Sequence, residues 1–135
     1  ALACDADGVH VGQKDTDVRE ARRLLGPNKI VGASAHTVQE AIEAWHSGAD
    51  YLGCGAVFGS STKRDATTLD HNVLREICRA VPIPVVAIGG ITPDNISCLA
   101  QTGIVGVAVV SALFAAAQPE FAARLLRDKA LEVTA

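Results

Sequence analysis

Short apolar strands alternate with amphipathic helices along this chain, and the alternation restricts its fold more than any other feature. Several predicted strands are nearly continuous runs of Val, Ile, Ala and Gly, which indicates burial on both faces, as in a parallel sheet connected by helices. The predicted strands are 8–11, 29–34, 50–55, 84–89 and 105–110, and the predicted helices are 17–25, 37–48, 72–80, 92–103 and 119–129. A capping box over 37–40 opens the second helix, and Thr92 is predicted to cap the fourth.

Five βα units are compatible with two α/β architectures, a doubly wound sheet and a part of a (β/α)8 TIM barrel. The dinucleotide fingerprint GxGxxG does not occur in the chain. A complete barrel takes roughly 250 residues, whereas this chain has 135. If the fold is a barrel, we expect residues 1–135 to form a single domain that lacks the first strands.

Composition excludes several classes of function. The net charge of −3 and the pI of about 5.7 give no indication of a nucleic-acid partner. The apolar runs are short and the first residues lack a basic start, so neither a membrane span nor a signal peptide is expected. The four cysteines are widely spaced without a CxxC pair, which argues against zinc and predicts free thiols in a cytoplasmic protein.

Three loops that follow predicted strands are candidates for binding an anionic, phosphorylated ligand. The first combines hydroxyl groups with one cation, and the alternative is an ordinary surface loop. The second ends a strand with two glycines and could equally be a tight βα turn that needs a positive φ. The third leads directly into a short helical turn, as in barrel phosphate sites. Their residues are Ser60, Ser61, Thr62 and Lys63; Gly89 and Gly90; and Val110 and Ser111.

Single residues after the other strands have two interpretations each. Asp15 could be a Mg²⁺ ligand, but from the residues alone an N-cap of the next helix is favoured. Ser34 could bind a ligand or close a turn, and His36 could move a proton or mark the helix entry. His10 is predicted to be a packed, hydrogen-bonded core histidine rather than a ligand. Lys63 is a better candidate for anion binding than for Schiff-base chemistry.

Six motifs in the same order resemble the thiamine phosphate synthase family over nearly the whole chain. They are GVHVGQKD (8–15), GASAHT (32–37), GADYLG (48–53), SSTK (60–63), AIGGIT (87–92) and VVSA (109–112). The resemblance implies a (β/α)8 barrel of which this chain supplies about the last five βα units. It also implies an Mg²⁺-dependent transferase that joins 4-amino-5-hydroxymethyl-2-methylpyrimidine diphosphate to a thiazole phosphate and releases pyrophosphate.

The resemblance also implies roles for single residues. Asp15 would bind Mg²⁺, and Ser34 and Lys63 would contact the pyrimidine diphosphate, with Lys63 neutralising the leaving group. The thiazole phosphate would be held by a second set, largely through backbone N–H groups. This set is Ser60, Ser61, Thr62, Gly90, Val110 and Ser111.

The chain departs from the family pattern in two ways. Gly59 stands where the family usually has Pro, and Ser60 replaces a usual Thr. The family's N-terminal motifs have no counterpart, so we expect the chain to begin near the fourth strand and to be inactive alone. Two rivals are a thiazole tautomerase paralogue, which generally lacks the lysine at position 63, and a non-catalytic phosphate-binding fragment. A homo-oligomer is compatible with the sequence.

Overall fold

The computed structural model describes residues 1–59 and 68–135 and contains one sheet of five parallel strands. The strands are β1 (Gly8–Val11), β2 (Ile30–Ala35), β3 (Tyr51–Cys54), β4 (Val85–Ile88) and β5 (Gly106–Ala108). Their order in the sheet is the order in the chain. A doubly wound sheet reverses its strand order at a switch point, so the sequential order favours the barrel architecture.

Helices follow β1, β2, β3 and β5 at the predicted places, whereas the connection from β4 to β5 contains only a 3₁₀ turn. The helices are α1 (Val18–Leu25), α2 (Val38–His46), α3 (His71–Ala80), α4 (Ser111–Phe114) and α5 (Pro119–Thr134), with a 3₁₀ turn at Ile96–Leu99. Side-chain caps fix three of the starts, because the side chains of Asp17, Thr37 and Asp70 accept hydrogen bonds from N–H groups of the first turns of α1, α2 and α3. None of these helices is long and apolar enough to cross a membrane, as far as the described residues go.

The two faces of the sheet have different environments. Right-handed crossovers between strands in sequential order place the helices on one face, and the side chains on that face form the core. This core row includes Val11, Val31, Ala33, Leu52, Cys54, Val85 and Ala87. The strand register places a second row on the opposite, open face: His10, Ser34, Tyr51, Val86 and Ile88, together with Gly32, Gly53 and Gly106.

The predicted helix over 92–103 is wrong, because this segment contains only the 3₁₀ turn. Thr92 does not act as the cap; instead Asn95 Oδ1 accepts a hydrogen bond from the Thr92 N–H at 2.8 Å. Asn95 Nδ2 also donates to the Gly90 carbonyl at 2.9 Å. An Asn side chain that binds nearby backbone in this way competes with helical hydrogen bonds, which explains the tight turn.

Arg22 connects four elements at the amino end of the strands. Its guanidinium donates to the carbonyl oxygens of Gly48, Gly26 and Lys29 and to the carboxylate of Asp50, at distances from 2.5 to 3.1 Å. Asp50 Oδ2 also accepts the Val31 N–H at 2.8 Å. The end of α1, the end of α2 and the starts of β2 and β3 are therefore joined through one side chain.

Candidate active site

The carboxyl ends of the parallel strands meet at one edge of the sheet. Four strands bring predicted site residues to this edge: Asp15 follows β1, Ser34 lies at the end of β2, Gly90 follows β4, and Val110 and Ser111 follow β5. Ligands of parallel α/β sheets bind at this edge. The convergence of these positions makes the edge the candidate active site.

A chain of hydrogen bonds crosses the open face next to this edge. His10 Nδ1 lies 2.9 Å from the Tyr51 hydroxyl, and His10 Nε2 lies 2.9 Å from Ser34 Oγ. The three side chains come from β1, β2 and β3. The hydroxyl of Ser34, a half-buried residue near the end of β2, is thus held by His10.

The predicted hydrogen bonding of His10 is confirmed. Its predicted packing in the core is wrong, because the residue lies on the open face and is exposed. Burial of the ring nonetheless lowers the pKa of His10, and the charge of Asp15 opposes this shift without cancelling it. The residue as a whole is exposed, but its two ring nitrogens lie 2.9 Å from the Tyr51 hydroxyl and from Ser34 Oγ, which shields these atoms from solvent.

The loop after β1 brings Asp15 and Gln13 to the same edge. Asp15 Oδ2 accepts the Gly12 N–H at 2.7 Å, and the α1 cap is Asp17, so the N-cap interpretation of Asp15 is wrong. Gln13 Nε2 donates to the Ser34 carbonyl at 2.7 Å and thereby ties this loop to β2. Sequence reasoning gave Gln13 no role.

Asp15 also bears on whether the edge can hold Mg²⁺. Within residues 1–59 and 68–135, no group of three His, Cys, Asp or Glu residues is arranged to hold a metal ion. Mg²⁺ differs from zinc in this respect, because it commonly binds through one or two carboxylates plus substrate phosphates and water. The exposed Asp15 carboxylate is of the type that supplies one ligand in such a set.

The tight-turn interpretation of Gly89 and Gly90 is confirmed, whereas their phosphate-binding interpretation stays a prediction. Gly89 has a φ of +103° and Gly90 a φ of +68°, the region that favours glycine. The turn is also part of the edge, since the Phe58 N–H donates to the Gly89 carbonyl at 3.0 Å. The loops after β3 and β4 therefore run side by side.

Val110 and Ser111 begin the short helix after β5. Val110 is the N-cap of α4, and its carbonyl accepts the N–H groups of Leu113 and Phe114. The pairing of Ile88 with Ala108 is the last one between β4 and β5. Gly90 and Val110 each lie two residues beyond that pair, so the two loops leave the sheet at the same level.

Residues 60–67 carry four predicted site residues that lie outside the described residues: Ser60, Ser61, Thr62 and Lys63. The residues on both sides of this segment are at the candidate site. Phe58 pairs with Gly89, the Leu69 N–H donates to the Ala56 carbonyl at 2.7 Å, and His71 Nε2 lies 2.9 Å from the Val57 carbonyl. The described residues Phe58 and Leu69 therefore both contact residues at or next to the glycine turn.

His36 does not join the His10 chain. Its Nδ1 lies 3.2 Å from Glu40 Oε2, which also accepts the His36 N–H at 2.7 Å. These contacts support the helix-entry interpretation. The residues that the sequence did not reveal are Gln13, His10 as a partner of Ser34, and Tyr51. The last two meet through the strand register, which is visible only in the structure.

Comparisons with known proteins agree with this geometry. The sequence profile of one family, described as thiamine monophosphate synthase, matches residues 1–113. A thiamine-phosphate synthase of Methanobrevibacter smithii is 50% identical over 126 residues, which are 93% of this chain and 60% of that protein. One from Clostridium acetobutylicum is 46% identical over 128 residues, 95% of this chain and 61% of the relative. The chain thus spans about 60% of the length of these relatives.

Solved structures give the same result. A thiamine phosphate pyrophosphorylase from Pyrococcus furiosus superposes with a TM-score of 0.89 at 44% identity, over 99% of this chain and 64% of that one. A 3-hexulose-6-phosphate synthase, with a TM-score of 0.70 and 21% identity over 95% of this chain and 64% of the other, shares the fold. With the sequential strand order, these likenesses confirm the α/β barrel class. The expectation of a single domain made of the last five βα units stays a prediction.

Proposed function

The chain belongs to the thiamine monophosphate synthase family, and we propose that the protein couples a pyrimidine diphosphate to a thiazole phosphate. The substrates would be 4-amino-5-hydroxymethyl-2-methylpyrimidine diphosphate and the thiazole phosphate, and the products thiamine phosphate and pyrophosphate. The observation that supports this most is the convergence of Ser34, the Gly89-Gly90 turn and the Val110-Ser111 helix start at one strand edge.

The proposed reaction breaks the bond between the pyrimidine methylene carbon and a diphosphate oxygen. The electron pair of that C–O bond leaves with pyrophosphate, so a cation forms on the methylene carbon. The thiazole nitrogen then uses its lone pair to form the new C–N bond. Such a step needs stabilisation of the departing negative charge and exclusion of water from the cation. In this proposal Ser34 and Lys63 bind the diphosphate, and Lys63 neutralises the charge that develops on it.

The second phosphate would be bound by the remaining loops. Ser60, Ser61 and Thr62, the Gly90 backbone, and Val110 with Ser111 would surround the thiazole phosphate. Asp15 would hold Mg²⁺, which when bound supplies positive charge to the diphosphate oxygens. These assignments rest on the family motifs and on the shared edge of the sheet.

The first test of the proposed function is the coupling reaction itself, measured on the protein at the full length of its relatives because residues 1–135 alone are expected to be inactive. Lys63→Met removes the cation while keeping much of the side-chain length, and we expect kcat to fall by about 100-fold, the scale for losing one stabiliser of transition-state charge. Lys129→Met, on α5 and away from the edge, is the matched control and should retain the rate. Formation of thiamine phosphate is followed by chromatography, and an unchanged rate in Lys63→Met would refute the role of Lys63.

The rival functions have different outcomes in the same set of assays. Isomerisation of a thiazole without coupling would identify a tautomerase. Binding of thiazole phosphate without turnover of either reaction would identify a phosphate-binding fragment. Coupling that also requires Mg²⁺, and that weakens when Asp15→Asn is introduced, would support the proposed metal ligand.

A cytoplasmic location is part of the proposal. The four cysteines are unpaired, and burial raises the pKa of Cys54 to about 12 and that of Cys78 to about 11, which keeps both thiols protonated. Free thiols are typical of reducing compartments. Fractionation of cells with an antibody against the chain would test the location.

A further inference from the structure

We propose that Tyr51 is a positioning residue that fixes the tautomer of His10 and thereby turns the Ser34 hydroxyl toward an anionic oxygen of the bound ligand. The inference rests on the proposed function in one respect, namely that Ser34 contacts a diphosphate. Tyr51 itself would touch neither substrate. Its effect would reach the ligand through two hydrogen bonds.

The backbone of three strands is arranged to allow this contact. The register aligns His10 of β1 with Gly32 of β2 and Gly32 with Tyr51 of β3. A Cβ atom at Gly32 would lie 2.2 Å from Tyr51 Cζ, so the phenol ring can cross β2 only because residue 32 has no side chain. The Tyr51 hydroxyl thereby reaches an imidazole two strands away.

A second glycine makes room for the imidazole. Gly53 aligns with Ser34, and a Cβ atom there would lie 3.1 Å from His10 Cε1, closer than ordinary contact. The His10 and Tyr51 rings are 5.5 Å apart between centroids and tilted by 38°. The two glycines therefore let both rings lie against the sheet, with His10 Nδ1 within hydrogen-bonding distance of the Tyr51 hydroxyl.

The direction of the two hydrogen bonds that connect Tyr51, His10 and Ser34 decides whether the Ser34 hydroxyl can donate a hydrogen bond to a ligand. A neutral imidazole has one N–H donor and one acceptor nitrogen. If Tyr51 donates to Nδ1, then Nε2 carries the proton and donates to Ser34 Oγ, and the Ser34 hydrogen remains for the ligand. In the opposite order Nε2 takes that hydrogen, and only the oxygen lone pairs of Ser34 face the ligand.

An anionic ligand selects the first order. Phosphate oxygens accept hydrogen bonds and repel a hydroxyl that presents only lone pairs. The neutral imidazole that this order needs is favoured here, since burial lowers the pKa of His10 against the opposing charge of Asp15. In this arrangement each group donates to the next: Tyr51 donates to His10 Nδ1, His10 Nε2–H donates to Ser34, and Ser34 donates to the ligand.

The first experiment measures the tautomer without reference to catalysis. Long-range ¹⁵N–¹H spectra of the histidine-labelled protein distinguish a protonated Nδ1 from a protonated Nε2, and the His10 signals are assigned by their loss in His10→Gln. We expect the Nε2–H form in the unsubstituted protein and a mixture of tautomers in Tyr51→Phe. An Nδ1–H form in the unsubstituted protein overturns the proposal even if Tyr51→Phe fails to fold.

The second experiment asks whether Tyr51 acts through Ser34. Inorganic pyrophosphate is the probe, and its affinity is measured by calorimetry for the unsubstituted protein, Tyr51→Phe, Ser34→Ala and the double variant. We expect Tyr51→Phe to weaken binding about tenfold, the scale of one hydrogen bond to a charged group, and to have no further effect once Ser34 is Ala. Equal losses in both backgrounds, or no binding by the unsubstituted protein, contradict the proposal.

Neither readout depends on turnover, which separates this inference from the proposed function. A protein with the Nε2–H tautomer and the expected coupling between Tyr51 and Ser34, but without synthase activity, would refute the proposed function alone. An active synthase whose His10 carries its proton on Nδ1 would refute the inference alone.

Discussion

Two residues without side chains, Gly89 and Gly90, define the turn after β4 at the candidate site. Besides their positive φ values, both are in close contact with the neighbouring loop. A Cβ atom at Gly89 would lie 2.6 Å from Ala56 Cα, and one at Gly90 would lie 2.6 Å from the Phe58 carbonyl oxygen. Any side chain here would therefore move the loop after β3 away from the turn.

Substitution of Gly90 tests this close approach at the scale of a single residue. In Gly90→Ala we expect the left-handed backbone alone to cost about 1–2 kcal/mol of the free energy of unfolding, and the contact with Phe58 to add to that cost. Gly48→Ala is the control for a positive φ, because Gly48 has a φ of +106° and its added Cβ would meet only Arg22 side-chain atoms at ordinary contact distances of 3.4 Å or more.

Gly106→Ala completes the series, since Gly106 has neither a positive φ nor a near neighbour. The free energies of unfolding in urea should decrease in the order Gly106→Ala, Gly48→Ala, Gly90→Ala. If Gly48→Ala and Gly90→Ala lose the same amount of free energy, the loops after β3 and β4 are not in the contact described.

At the scale of elements, Arg22 is the clearest case of one side chain holding several segments. It fills carbonyl acceptors at the ends of α1 and α2 and before β2, and it pairs with Asp50 at the start of β3. A planar guanidinium can serve these directions together, whereas an ammonium group is a compact donor on a flexible stem. The identity of the cation therefore matters more than its charge.

Arg22→Lys should lower the free energy of unfolding by about 2–3 kcal/mol, since several hydrogen bonds of about 1 kcal/mol each are lost while the charge remains. Arg23→Lys is the adjacent control, because Arg23 makes one exposed pair with Glu20, and such pairs contribute about 0–1 kcal/mol. Urea denaturation followed by circular dichroism measures both. Equal effects of the two substitutions would mean that the Arg22 hydrogen bonds contribute nothing beyond its charge.

The elements also show how far sequence reasoning extends. Hydrophobic patterning predicted all five strands, because aliphatic residues on the face against the helices alternate with glycines and further aliphatic residues on much of the other face, and the strands read as apolar runs. It failed at 92–103, where the Asn95 side chain binds the backbone on both sides of Thr92. Propensity cannot anticipate a side chain that replaces a helical turn.

The candidate site was predictable in part for a related reason. Ser34, Gly90 and Ser111 could be placed at one edge from strand ends alone. The partnership of His10 with Tyr51 could not, because it depends on which residues of separate strands stand opposite one another. Register across a parallel sheet is set by packing of whole units and leaves no local signal.

At the scale of the whole molecule, Asp50 makes the free energy of unfolding depend on pH in the acid range. Burial would raise the pKa of Asp50, but the Val31 N–H bond and the hydrogen bond and charge of Arg22 together lower it below the ordinary value of 3.8. A carboxyl with a lowered folded-state pKa contributes its full stabilisation above its unfolded pKa. That contribution is lost as the pH falls from about 4 toward the folded-state pKa.

In Asp50→Asn we expect the free energy of unfolding to fall at pH 7 and to depend less on pH below about 4 than in the unsubstituted protein. Asp128→Asn, on the exposed surface of α5, is the control. Thermal unfolding at a series of pH values gives the slopes. An acid slope that Asp50→Asn leaves unchanged would show that the Arg22–Asp50 contact is not the source.

The position of the Arg22 contacts at the amino end of the strands, opposite the candidate site, has a consequence for how such a protein can change over generations. Substitutions that alter ligand choice fall on one end, and substitutions that restore lost robustness can accumulate at the other without disturbing it. A lineage can therefore explore new chemistry in small steps and compensate each one remotely. The separation of the two ends makes the fold a permissive starting point for divergence.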